Sequence, residues 1–252
     1  MNRDKPSSPA ESRSMKHAVW DSFCARFRIY GTCVPLFELD DAGNAAVTIR
    51  SVKSRRTGIT RDKPYLVRSE QFDELIVSIG RKLEADWDSG LKRFDGLIYI
   101  MGWKQAGKFV PLYIGKAESK GRNSGSKISA NLQRLATNKG KFARWGDGYQ
   151  YHIGDLSASL LPGHEEDTKQ VRKYQSWAAC LFIDGTTALR EPVYLWAKEW
   201  DGSQVGIWEE VGSTSLSFLE YLLIGVAGEV SPKLLNREGL SRSTSDLDDE
   251  HE

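Results

Sequence analysis

Residues 96–115 constrain the fold of this chain more than any other stretch. They read Gly-Leu-Ile-Tyr-Ile-Met-Gly-Trp, then a polar loop at 104–108, then Phe-Val-Pro-Leu-Tyr-Ile-Gly. Each apolar run is short for a helix, and the Gly and Pro residues around them break helix further. The sequence predicts two adjacent strands joined as a hairpin, each with one tyrosine inside its apolar run.

A chain of 252 residues has room for one large domain or two small ones. Its composition is that of an ordinary globular protein, with 40% hydrophobic and 27% charged residues. The net charge of +1 neither favours nor excludes nucleic acid, so local distribution has to decide. Three cysteines without a CxxC pair, and four histidines without ligand spacing, give no zinc pattern. Idle thiols suit a reducing cytoplasm, which is the expected location. The polar residues 1–14 hold no secretory apolar core, and no stretch is apolar enough to span a membrane.

In chain order, residues 1–15 read as a disordered N-terminus and 241–252 as an acidic disordered tail. Residues 16–92 read as an N-terminal α/β extension. Strands are predicted at 27–36 and 45–52, with a turn at 40–44. A basic loop follows, with Arg50, Lys53, Arg55, Arg56, Arg61 and Lys63 against the single acid Asp62. It reads either as a solvated loop or as a phosphate-contacting arm. Residues 69–87 form a helix, capped by Ser69, with Phe72, Leu75, Ile76, Ile79 and Leu83 on one stripe.

Residues 93–240 form the main domain. A helix is predicted from 126 or 129 to 138, with Ile128, Leu132 and Leu135 as its stripe. A strand is predicted over 149–156, a helix over 167–182, strands over 192–198 and 205–209, and a helix over 217–227. The fold class is α+β, with a small mixed β-sheet packed by helices.

Between residues 102 and 145 stand ten basic residues and one acid, Glu118. Such a concentration in a neutral protein points to an anionic partner, and the interspersed Gly and Ser allow close approach of backbone to phosphate. No Walker A loop, dinucleotide fingerprint, nucleophile elbow or H-E-x-x-H motif is present. Glu220 is an isolated carboxylate in the apolar segment 219–224. Ser217-x-x-Glu220 also reads as a capping box, in which Glu220 merely binds the helix start.

Leu97-Ile98-Tyr99 followed by Tyr113-Ile114-Gly115 resembles the paired signature of the GIY-YIG nuclease superfamily. Asn131-Leu-Gln-Arg134-Leu looks like that family's arginine-bearing helix. The segment with Glu220 looks like the helix that carries its metal-binding glutamate. Leu235-Asn236 after Pro232 resembles its closing asparagine. The likeness covers residues 95–238.

The resemblance implies a small sheet flanked by helices and cleavage of DNA with Mg2+ or Mn2+, in a restriction or defence setting. It implies Tyr99 as general base or water-orienting group, with Lys116 among the cations that lower its ordinary pKa of about 10. Tyr113 would hydrogen-bond the scissile phosphate, and Arg134 would neutralise its developing charge, with Arg122 as the rival arginine. Glu220 would bind the metal and Asn236 would buttress the site. Arg122, Lys127, Lys141, Arg144, Arg55 and Arg56 are the expected DNA contacts. Asn138 stands where the family has His or Tyr, which leaves proton abstraction to Tyr99 or His152. A DNA-binding protein that keeps the fold without cutting is the competing expectation. A palindromic target would select a homodimer.

Overall fold

The computed structural model describes residues 9–53, 58–120, 127–129, 132–135, 137, 153–164 and 172–236. The chain begins with α1 (Pro9–Arg26), α2 (Ile29–Thr32) and β1 (Val34–Pro35). The hairpin β2 (Val47–Lys53) and β3 (Thr60–Leu66) follows, then α3 (Glu70–Asp88). Next come β4 (Phe94–Gln105), β5 (Lys108–Glu118), α4 (Ile153–Leu160) and α5 (Arg172–Leu181). The last elements are β6 (Val193–Asp201) and α6 (Leu216–Val230).

The expected α+β class holds. The main sheet has the order β1-β6-β4-β5, and β2 and β3 form a separate ribbon. All the described strand pairs are antiparallel, where a mixed sheet was expected. The tyrosine strands are β4 and β5. Their turn is tighter than the loop of residues 104–108: only Ala106 and Gly107 intervene, both at positive φ (47° and 76°). That pair of signs matches the right-handed twist of a two-residue hairpin.

β4 is central and sandwiched. Leu97, Tyr99, Met101 and Trp103 face one core, shared with α3, α4 and α5. Ile98 and Ile100 face the other, shared with α1 and α6. Burial on both faces is why the strand reads as a continuous apolar run without alternation. Gly96 enters β4 at φ 148°, where a Cβ would lie 2.1 Å from the Ala117 carbonyl oxygen. Residue 92 is the turn into β4, and both cores take side chains from either side of it.

Several elements differ from expectation. Helix α1 starts at Pro9, inside the stretch read as disordered, because Trp20 and Phe23 anchor it in the core beneath β6 and α6. Residues 29–32 are helical where a strand was expected. Residues 153–160 form a helix, not the end of a strand, with Ile153 and Leu156 buried. Residues 132–135 are turns rather than helix, and Arg134 has φ 59°. Leu132 and Leu135 still reach the core as the expected stripe does. Over 205–209 the expected strand is reduced to the isolated bridge of Val205 to Ser213, and Glu209 opens a 3-10 turn, Glu209–Val211.

Candidate active site

Tyr99 pairs with Gly115 on β5 and with Ala197 on β6. Directly opposed residues share a face, so the tyrosine ring lies across Gly115. A Cβ at Gly115 would fall 2.1 Å from the Tyr99 hydroxyl oxygen. Tyr99 is 2% exposed. Tyr113, opposite Met101, lies on the same face, with its ring 6.1 Å from that of Tyr99. It is only partly buried, because β5 is the sheet edge.

The edge is closed by the segment after α6. Leu235 N donates to the Leu112 carbonyl at 2.7 Å. The Asn236 side chain then takes both backbone groups of Ile114. Ile114 N donates to Oδ1 at 2.9 Å, and Nδ2 donates to Ile114 O at 2.8 Å. An amide side chain carries one acceptor and two donors, so it replaces a neighbouring strand for one residue.

Glu220 sits on the flank of α6 that faces this edge. Its Oε2 is 3.7 Å from Lys116 Nζ, and both side chains are about one-fifth exposed (19% and 23%). Lys116 also donates to Glu118 Oε1 at 2.8 Å and to the Ser217 hydroxyl. Ser217 in turn donates to Glu118 at 2.7 Å. The capping-box expectation fails here. Ser217 is already inside α6, whose N-cap is Ser215, and the first amide, Leu216 N, donates to Asp95 Oδ2 at 3.0 Å. A cleft of about 510 Å³ opens beside this cluster, lined by Trp87, Asp95, Glu118, Lys120, Ser215 and Ser217.

On the tyrosine side stands a residue that sequence reasoning missed. Lys173 Nζ, from α5, donates to the Tyr113 hydroxyl at 3.0 Å. The ammonium also lies 4.5 Å from the Tyr113 ring centroid and 5.2 Å from that of Trp177. Burial lowers its pKa to about 8, while Asp155 and Glu220 act to raise it. Burial pushes the Tyr174 phenol far up, helped by Asp155 and Tyr113. Glu220 thus pairs with Lys116 and also favours the charged form of Lys173. The available signal was the spacing of Lys173 and Trp177, four residues apart in a helix, which stacks a lysine stem along an indole.

The other predicted residues are more dispersed. Arg134 is exposed on its turn, and Ser129 N donates to Ser119 O at 2.8 Å, tying that segment to the end of β5. Lys127 is exposed nearby. Arg55, Arg56, Arg122, Lys141 and Arg144 lie outside the described residues, as do Asn138 and His152. Lys63 of the basic loop is buried at 2%, and Arg50 and Arg61 belong to the β2–β3 ribbon.

Compared with models of known families, with curated proteins and with solved structures, the chain matches none of them. The site must therefore be read from its own chemistry.

Among the described residues no three His, Cys, Asp or Glu side chains gather as a metal cage. One carboxylate, with water and substrate phosphate completing the shell, does suit Mg2+ or Mn2+. Glu220 can supply that carboxylate. Among the described residues no helix is long and apolar enough to cross a membrane.

Proposed function

We propose that this chain is a GIY-YIG-type endonuclease that hydrolyses DNA phosphodiester bonds with Mg2+ or Mn2+. The observation that carries the reading is convergence at the β5 edge. Tyr113 accepts from Lys173, while Glu220, far away in sequence, pairs with Lys116 of the same strand and favours the charged form of Lys173. Cations and a metal-holding carboxylate are two of the parts that phosphodiester hydrolysis needs, the third being an acceptor for the proton of the attacking water. The order of elements, two tyrosine strands, two helices, a third strand, then the glutamate helix and Asn236, supports it further.

Each residue then has a task. Glu220 would hold the metal, which supplies charge neutralisation and an acidified water when bound. Tyr113 donates to a non-bridging phosphate oxygen. Lys116 holds the Glu220 carboxylate in place and adds positive charge beside it. Arg134, exposed on its turn, would neutralise the charge developing on the phosphate. Asn236 fixes the edge strand. The role of proton acceptor does not fit a Tyr99 ring that is 2% exposed, so Tyr99 supports Tyr113 from below. The expected restriction or defence setting and the homodimer belong to this reading.

The test is plasmid DNA incubated with Mg2+ and either wild-type protein or Glu220→Ala. Wild type should nick or linearise it, and Glu220→Ala should lose at least about a hundredfold in rate, the usual scale for one electrostatic group in a site. Intact plasmid with wild type, or equal cutting by the variant, overturns the reading. The Lys116–Glu220 pair favours one competitor, a DNA-binding protein that does not cut, because a carboxylate already neutralised by lysine has less call for a metal. Salt-sensitive binding without cleavage in Mn2+ would select it.

A further inference from the structure

We infer that Lys173 is a positioning residue for Tyr113, holding its hydroxyl as a hydrogen-bond donor aimed at a bound phosphodiester. The ligand's identity rests on the nuclease reading above; the donor geometry does not.

Lys173 Nζ lies 3.0 Å from the Tyr113 oxygen. An ammonium has three donors and no acceptor, so the phenol oxygen must accept. Its single proton is thereby turned away from Lys173. A phosphodiester oxygen is an acceptor with no proton of its own, and it meets that proton in the right sense. Accepting from a cation also makes the phenol a stronger donor.

The ammonium is held from several sides. The rings of Tyr113, Trp177 and Tyr174 lie 4.5, 5.2 and 5.4 Å from it. Burial works against its charge, while buried Asp155 on α4 and Glu220 on α6 favour it. An ammonium set against three ring faces gains an attraction that a neutral amine lacks, so the reverse arrangement, a neutral amine accepting from the phenol, is disfavoured.

The experiment uses the full chain with Tyr113→Phe, Lys173→Met, the double variant and Lys173→Arg. Methionine keeps the apolar stem along the rings and removes the donor. Lys173→Gln, neutral but still a donor, replaces it if Lys173→Met does not fold. Affinity for a short duplex is measured in EDTA at raised salt, which screens through-space attraction. Cleavage is measured in Mg2+.

Each single variant should lose about tenfold in affinity, the scale of one hydrogen bond to a charged partner. The double variant should be no worse than Tyr113→Phe, and Lys173→Arg should recover part of the loss. Additive losses, or a Lys173→Met protein equal to wild type, overturn the inference. If wild type binds the duplex without cutting, the nuclease reading falls while the binding cycle still decides this one. If wild type neither binds nor cuts, both fall.

Discussion

Asn236 grips Ile114 by both of its backbone groups, at 2.9 and 2.8 Å, on the side of β5 away from β4. β5 is the sheet edge, and such an edge otherwise presents open donors and acceptors. Both partners are buried. Removing the amide strands two backbone groups at once.

Asn236→Ala should therefore destabilise the fold by about 2–4 kcal/mol, the sum expected for two buried groups left unsatisfied. Asn236→Asp keeps the acceptor but sets a carboxylate against the Ile114 carbonyl, and should be no milder above neutral pH. Urea unfolding followed by tryptophan fluorescence measures both. An Asn236→Ala protein within a few tenths of a kcal/mol of wild type would show that the contact carries no weight.

Gly115 and Tyr99 form a second pair whose sizes are matched. A methyl group at residue 115 would sit 2.1 Å from the tyrosine oxygen and 2.3 Å from Cζ. Gly115→Ala should cost about 3 kcal/mol, the upper end of overpacking in a rigid core. The cost should nearly vanish in a Tyr99→Ala background, because the clashing ring is gone. Denaturation of the four proteins in that cycle gives the coupling directly. Additive effects would mean that the glycine is needed for something other than the ring.

Much of this arrangement was legible in the sequence, and the misses share a physical cause. The tyrosine strands were readable because a sandwiched strand is apolar throughout and glycine marks close backbone approach at its ends. Helix α3 was readable from its stripe and its cap, and Phe72 N does donate to Ser69 Oγ at 3.0 Å. Asp40 accepts from Ala42 N and Asn44 N, as its turn pattern implies. The approach of Glu220 to Lys116 could be expected only through the family likeness.

What failed was decided by tertiary contacts. Residues 9–14 are polar and look disordered, yet they continue a helix whose later turns are anchored by Trp20 and Phe23. The alternation of Tyr149, Tyr151 and Ile153 suggests a strand. Ile153 instead opens a helix whose Ser157 hydroxyl accepts from Leu66 N at 3.0 Å. Lys173 was passed over because a helical lysine is normally solvated. Its place is set by Trp177 on its own helix and Tyr113 on another element, and the second contact has no local signature.

Asp95 takes the place of the capping box at α6. Its carboxylate accepts from Leu216 N at 3.0 Å, and Ser215 makes no side-chain cap. An anion at a helix N-terminus is favoured by the orphan amides and by the helix dipole together. Asp95→Ala should cost about 1–2 kcal/mol. Asp95→Asn keeps an acceptor and should cost only a few tenths of a kcal/mol, a difference that narrows as salt rises. By contrast Ser217→Ala should leave α6 stable, since Ser217 bonds to Lys116 and Glu118 rather than to the helix start. Thermal melts at low and high salt distinguish the two assignments. A Ser217→Ala protein weaker than Asp95→Ala would restore the serine as the cap.

Lys173 also gives the fold a specific pH dependence. Its amine ordinarily titrates at 10.5, and burial lowers this to about 8 in the folded chain. Below about pH 8 both folded and unfolded chains hold the proton, and the fold bears the full cost of a buried ammonium. Between about 8 and 10.5 the unfolded chain binds more protons than the folded one, so this residue's contribution to stability rises with pH. Above that window both are neutral and the contribution is flat. Cys24, whose thiol burial pushes up to about 12, and Tyr174 act in the opposite sense at high pH. Subtracting the stability of Lys173→Met from that of wild type at each pH cancels them. That difference should climb by about 2 kcal/mol across the window, allowing for the solvent that still reaches the amine. Urea titrations in metal-free buffer from pH 7 upward measure it. A difference that stays level, or falls, would mean that the ammonium keeps its hydration and is not held among the rings.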